Sequence, residues 1–305
     1  MGGFLTWTLG AEVTTEAPES VPVTQPGEPG VRRRRLPSWA WIVVPALVFI
    51  TIVFVWPVLM MLVRAITTEP AGFSRFQDLV SPGLGRVFLR TALVSALVTV
   101  ISLAVAYPYA YLAATSGRIG RVLVLVASAS LFVSLVVRGY SWLTILDTQG
   151  VVRSALDLVG LTGVTFELVH NSTGVVIGMV QYGIPFMVLP LFDVMRRVDV
   201  RLMRAGATLG ASPRRTFWQI YVPMTLPGIT AGCTVVFVAS LGYYILPAIL
   251  GGPQNTMIGE FISNQFLRTG DFGLGATAGF ALLVIAVLVY VVLQMSGRAL
   301  HRGQR

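Results

Sequence analysis

The residues best placed to do chemistry lie in a basic, aromatic segment, 199–227, which reads DVRLMRAGATLGASPRRTFWQIYVPMTLP. Leu202, Ala205 and Leu209 recur at helical spacing opposite Arg201 and Arg204, which predicts an amphipathic helix. Gly210 offers a left-handed stop, followed by Ser212 as an N-cap with Pro213 in the first helical position. A second short helix over 213–221 then carries Phe217, Trp218 and Tyr221 until Pro223 breaks it. Such a helix, turn and helix makes contacts rather than bonds. It suits docking of a partner protein, and its arginines and aromatics equally suit an anionic lipid surface.

Bond chemistry is hard to place elsewhere. The 22 basic residues are all arginine, so a phosphate loop of the Walker A kind has no lysine to place against the β- and γ-phosphates. If ATP drives this chain, another chain hydrolyses it. Cys233 stands alone in an apolar run, and His170 and His301 fit no ligand spacing, so neither a disulfide nor a metal centre is expected.

The elements that must position the segment are membrane spans. Hydrophobic residues make up 55% of the chain and charged residues 11%, less than half the share of an ordinary soluble domain. Uncharged gaps of 28, 27, 25, 44 and 26 residues separate Arg35 from Arg64, Arg90 from Arg118, Glu167 from Asp193, Arg215 from Glu260 and Asp271 from Arg298. Each holds at least the roughly 20 apolar residues that cross a bilayer as a helix. The longest gap is punctuated by Pro223, Pro227, Pro247 and Gly251-Gly252-Pro253, so it reads as one span. With a further apolar run the expected helices are six, near 39–63, 88–113, 122–146, 173–194, 228–249 and 274–296. The fold class is therefore all-α integral membrane.

Arginine distribution sets the orientation. With the Arg32–Arg35 cluster in the cytoplasm, both termini are cytoplasmic and fifteen of the 22 arginines lie inside, as the positive-inside rule requires. The basic excess thus reports topology and is not a nucleic-acid footprint. Residues 1–36 read as a disordered cytoplasmic tail, 37–298 as the transmembrane domain and 299–305 as a short cytoplasmic end.

No acidic residue falls at mid-membrane depth, which favours an external energy source over coupling to protons or cations. Gln181 and Tyr182 in the fourth span, and Tyr243 and Tyr244 in the fifth, are candidates to line a solute path. Gly242 and Pro247 bracket the tyrosine pair and mark a bent or unwound section. Trp142, Asp147 and Glu260 are further candidates towards the outer side. Arg138 reads as a residue that snorkels to the outer interface beside Tyr140 and Trp142, the alternative being a role in an outer gate or in docking a partner protein. Small residues Gly174, Gly178, Gly275, Ala278 and Gly279 suit close helix packing.

The run Arg204-Ala205-Gly206-Ala207-Thr208-Leu209-Gly210-Ala211, followed by Phe217, Pro223 and Pro227, resembles the EAA loop of binding-protein-dependent ABC importer permeases. Three further stretches narrow the resemblance to the first permease of spermidine/putrescine-type importers. They are Val137-Arg138-Gly139-Tyr140-Ser141-Trp142, Ile184-Pro185-Phe186-Met187-Val188-Leu189-Pro190, and Leu246-Pro247-Ala248-Ile249-Leu250-Gly251-Gly252 with the later Gln265-Phe266. The likeness covers about 85–296, with the coupling loop at 199–221.

The resemblance implies a type I ABC importer permease fold in the bacterial inner membrane. It also implies a pair of cytoplasmic ATPase subunits that hold the ATP and Mg, a second homologous permease making a heterodimer, and an extracytoplasmic solute-binding protein. The loop residues Arg204, Ala205, Gly206, Leu209, Gly210, Ala211, Ser212, Pro213 and Phe217 would then form the contact with the ATPase. Two departures stand out. Arg204 and Gly206 replace the glutamate and second alanine of the motif, and Leu241-Gly242-Tyr243-Tyr244 replaces the L-G-E-F of many polyamine-type relatives. The alternative function class is an ion-gradient-driven carrier or channel.

Overall fold

The structure of the chain, a computed structural model, describes residues 40–67, 79, 81–158, 168–208 and 210–302. The expected tail at 1–36, with its arginine cluster, lies outside these residues, as do Leu209 and the last three residues of the C-terminal end. Two compact units are present, Met1–Thr51 and Ile52–Arg305. Of the first, the described part is the opening of helix α1 (Ala40–Thr67).

Among the described residues every regular element is helical. After α1 come α2 (Pro82–Thr115), α3 (Gly117–Ser130), α4 (Leu135–Leu146), α5 (Val151–Leu158) and α6 (Ser172–Met195). The basic, aromatic segment follows as α7 (Val200–Thr208) and α8 (Pro213–Thr216), then a π-helical turn over Phe217–Tyr221. The chain closes with α9 (Val222–Leu241), α10 (Ile245–Leu250), α11 (Ile258–Asn264) and α12 (Phe272–Arg302). Five helices are long and apolar enough to cross a membrane, and a sixth crossing is counted when one bent pair is taken together.

That bent pair corrects the expected third span. The apolar run over 122–146 predicted one helix, but the structure stops α3 at Ser130 and restarts at Leu135, with 99° between the two limbs. The expected fifth span is corrected as well. Pro223 does not break the chain there; α8, the π turn and α9 run on as one apolar element from Pro213 to Leu241. The wider turn explains how: the Val222 N–H bonds to the Phe217 carbonyl, five residues back. A proline ring one residue later needs that extra room, because it has no N–H and crowds the carbonyl four residues before it. At its far end the helix stops at Gly242, not near 249, and resumes as the separate α10.

Helix α6 is the centre of the bundle, with over half of its most apolar window buried. Asn171 starts it by accepting from the Thr173 and Gly174 N–H groups at 2.8 and 3.0 Å. It packs on α2 and α9 through Met179, Met187, Val188 and Leu191, all 2% exposed or less. Missing side chains set the spacing. A Cβ on Gly183 would meet the Ser102 hydroxyl at 2.8 Å, and one on Gly178 would meet Leu250 at 2.7 Å. Gly275 and Gly279 approach Phe266 and Met61 in the same way. The close packing expected of these small residues is thus real, and it lets dispersion contacts accumulate where lipid offers no hydrophobic drive.

Candidate functional site

Two groups of residues hold the chemistry. The first is the segment from α7 to the π turn. Gly210 takes φ +83°, and the Ala211 N–H bonds to the Gly206 carbonyl at 3.1 Å. Only glycine adopts that left-handed corner without steric cost, so α7 ends there as its sequence predicts. The Ser212 hydroxyl then accepts from the Arg215 N–H at 3.3 Å, with Pro213 opening the next helix. The expected cap geometry is therefore present.

The face of α7 turned to the protein differs from the expected one. Leu202 is 45% exposed, while Gly206 is buried and Met203 packs against the core. A Cβ on Gly206 would meet Ile220 at 3.2 Å and Thr216 at 3.3 Å, so α7 crosses the following helix at the position where the resembled motif has alanine. The side chains of Arg204 and Ala205 lie outside the described residues.

Aromatic rings fasten this segment to the bundle. Phe217 stands edge-on to Tyr107 and Tyr111 of α2 at 6.2 and 5.7 Å, and Tyr221 meets Tyr111 at 5.2 Å. Phe217 and Tyr221 stack on each other at 5.5 Å. The Tyr107 and Thr225 hydroxyls are 3.0 Å apart, which adds a polar tie between α2 and α9. Edge-to-face rings at these separations each add about 0.5–1.5 kcal/mol beyond the area they bury. Trp218, on the outer side of the turn, is 61% exposed.

The second group lies at the bend of the third span. Arg138 does not snorkel: it is 4% exposed. One of its terminal nitrogens donates to Gln181 Oε1 at 2.9 Å, the other donates to the Ser130 carbonyl, and its guanidinium lies 5.6 Å from the centre of the Tyr182 ring. Tyr182 in turn packs on Tyr243 at 4.7 Å and on Phe186 at 4.9 Å. Tyr243 and Tyr244 occupy the unwound residues between α9 and α10; the first is buried and the second is 42% exposed. Gly259 lies against this stretch, where a Cβ would come within 2.7 Å of the Tyr243 carbonyl.

The structure therefore brings Gln181, Tyr182 and Tyr243 together around Arg138. Trp142 is half-buried one turn further along α4. Asp147 and Glu260 stand apart. Asp147 ends α4 and accepts from the Thr148 N–H and hydroxyl at 2.7 and 3.3 Å, beside a cleft of about 280 Å³ that it shares with His170. Glu260 sits in the first turn of α11, where burial pushes its carboxyl above the usual range, against the lowering effects of the Met257 N–H and Arg268. Arg138 is the residue that sequence reasoning misplaced. An arginine one residue before a glycine, late in an apolar run, gives no sign of which face it occupies.

A match to the family model for the inner membrane component of binding-protein-dependent transport systems runs over residues 34–303, nearly the whole chain. The chain belongs to that family. This permease is 29% identical over 228 residues to the spermidine/putrescine transport system permease protein PotB of Escherichia coli strain K12, covering 74% of this chain and 83% of the relative. It is 28% identical over 243 residues to the inner membrane ABC transporter permease protein YdcU of the same strain, covering 75% and 77%. Its fold matches the crystal structure of a bacterial alginate ABC transporter in complex with an alginate pentasaccharide-bound periplasmic protein. There the TM-score is 0.69 at 18% identity, over 86% of this permease and 94% of that chain. It is an all-α, multi-pass permease of that family.

Proposed function

We propose that this chain is a pathway-forming subunit of an ATP-driven importer that carries a small organic solute of the polyamine-type class, such as spermidine, putrescine or an amine or amino-acid derivative, into the bacterial cytoplasm. The observation that carries the reading is the α7–Gly210–α8 unit, capped at both ends of its turn and bolted by Phe217 and Tyr221 to α2. A loop lying loosely on lipid has no need of that rigidity. A loop that must pass a push from a partner into the bundle does.

In this reading Arg204, Ala205, Gly206, Leu209, Gly210, Ala211, Ser212, Pro213 and Phe217 form or support the contact with a cytoplasmic ATPase dimer, which holds the ATP and Mg. Closure of that dimer moves the loop as a rigid body, and the continuous helix from Pro213 to Leu241 carries the movement to the unwound Gly242–Tyr244 stretch. A second, homologous permease completes the path as a heterodimer, and an extracytoplasmic binding protein delivers the solute. Gln181, Tyr182, Tyr243, Tyr244 and Trp142 line the path, with Asp147 and Glu260 towards its outer mouth.

The orientation follows from which arginines share one end. Tyr111, near the C-terminal end of α2, touches Phe217 and Tyr221, so the α2–α3 turn with Arg118 and Arg121 lies at the same end as Arg196, Arg197, Arg201, Arg214 and Arg215. That basic end is cytoplasmic under the positive-inside rule. The test is uptake of radiolabelled spermidine and putrescine into proteoliposomes holding the two permeases, with ATPase and binding protein supplied or withheld. Uptake needs both partners and internal ATP. Uptake that persists without the ATPase, driven by an ion gradient, would overturn the reading.

A further inference from the structure

Arg138 makes an unusual set of contacts for a charged residue in an apolar span. Among the described residues no carboxylate pairs with it; its charge is met by a side-chain amide, a backbone carbonyl and a ring face. Each contact belongs to a different piece of the fold. Ser130 is the last residue of α3, where a helix favours a cation; its carbonyl accepts from the Val133 N–H at 3.4 Å and from Arg138 as well. Arg138 itself sits in the first turn of α4, beyond the 99° bend. Gln181 and Tyr182 belong to α6. One planar guanidinium thus spans the break in the third span and ties both limbs to the central helix.

The neighbouring packing makes the joint tight on its other side. Gly139 lets Ile249 of α10 approach to where a Cβ would be 2.6 Å away, and Tyr182 rests on Tyr243 in the unwound stretch at the end of α9. Physical contact is therefore continuous from the aromatic helix at Phe217, along α9, through Tyr243 and Tyr182, to Arg138 and the bent span. A buried charge is expensive to keep in a membrane unless its geometry is used. Here the fork geometry of arginine is used, and lysine, a single point charge, cannot reproduce it.

We propose that Arg138 is a positioning residue for transport: it fixes the bend between α3 and α4 and links that bend, through Tyr182 and Tyr243, to the helix that rises from the coupling loop. This rests on the importer reading above and adds to it a third-span element that moves with α9.

The test uses the full chain in its importer complex in nanodiscs, with Cys233→Ala so that introduced cysteines are unique in this chain. Spin labels at Ile119 on α3 and Thr144 on α4, both exposed, report the bend. A straight helix would separate these positions by roughly 38 Å at 1.5 Å per residue; the bend predicts one narrow, shorter interval. Arg138→Met and Arg138→Lys broaden that interval. In the same complexes, basal ATP hydrolysis and co-purification stay at wild-type level. Stimulation by the binding protein, used as isolated from the cells, falls about tenfold, as expected for losing a charge-assisted hydrogen bond.

An unchanged interval, or stimulation equal to wild type in Arg138→Met, overturns the proposal. If Arg138→Met does not insert, Gln181→Leu, which removes the far end of the same bridge, must broaden the interval, and a wild-type interval there overturns it too. A wild-type complex whose ATP hydrolysis ignores the binding protein would sink the importer reading instead, leaving the label distances to decide the joint.

Discussion

Gly210 is where a single atom decides the most. Its φ of +83° is closed to proline, whose ring holds φ near about −65°, and costly for any residue with a Cβ. Gly210→Pro therefore destroys the corner between α7 and α8 while leaving the spans untouched. A charge at Ala211, beside the same corner, puts an unpaired group into the surface proposed to meet the ATPase. Both variants insert normally and lose co-purification with the ATPase, measured by affinity pull-down from solubilised membranes; retained co-purification would refute the role given to the turn. Gly206 belongs to the same scale. Its replacement of an alanine reads in sequence as a loss of helix propensity, worth up to about 1 kcal/mol. In the fold it becomes the point at which α7 crosses Thr216 and Ile220.

At the level of elements, the crossing of α9 over α6 joins the helix that follows the loop to the core. A Cβ on Gly228 would face the Pro190 carbonyl at 3.1 Å, the Leu191 Cα at 3.2 Å and Val194 Cβ at 3.2 Å. Two of these are backbone atoms that cannot turn aside. Gly228→Val therefore forces the two helices apart and costs about 1–3 kcal/mol, the usual penalty of overpacking. The expected result is a lower thermal unfolding midpoint in detergent, and an unchanged midpoint would show that the crossing is looser than described. The π turn at Phe217–Tyr221 sits just below this crossing. It rotates the two rings into their contacts with α2 while Pro223 is accommodated in a continuous helix.

For the whole molecule, the proposed sidedness rests on the basic end. The cluster of arginines around the α2–α3 turn and the α6–α9 connection predicts that both termini are cytoplasmic. A green fluorescent protein fused after Arg305 should fluoresce, and alkaline phosphatase at the same place should stay inactive. The reverse pattern would invert the molecule and place the coupling segment on the wrong side for an ATPase. Much of this architecture was legible beforehand. Charge-free gaps located the first, fourth and sixth spans to within a few residues, and the Gly210, Ser212 and Pro213 signals produced the geometry they predicted. The break at Ser130–Leu135 was not legible, since an apolar run looks alike whether it is straight or bent. Nor was the face of Arg138, because periodicity carries little information where lipid and protein are both apolar.

What the sequence determined by itself is local or compositional: a membrane chain, its approximate spans, the sign of each side, and a capped turn between two helices. These follow from transfer energies, net charge and backbone sterics, each readable from a few neighbouring residues. The tertiary structure alone decided that α3 and α4 bend by 99°, that α9 continues down through the π turn, and that Arg138, Gln181, Tyr182 and Tyr243 share one site. Those choices depend on which side chains reach one another across the bend and from the central helix. In a medium without water a buried guanidinium must find partners inside the protein, and Arg138 finds them in the Ser130 carbonyl and in Gln181, 43 residues away in sequence.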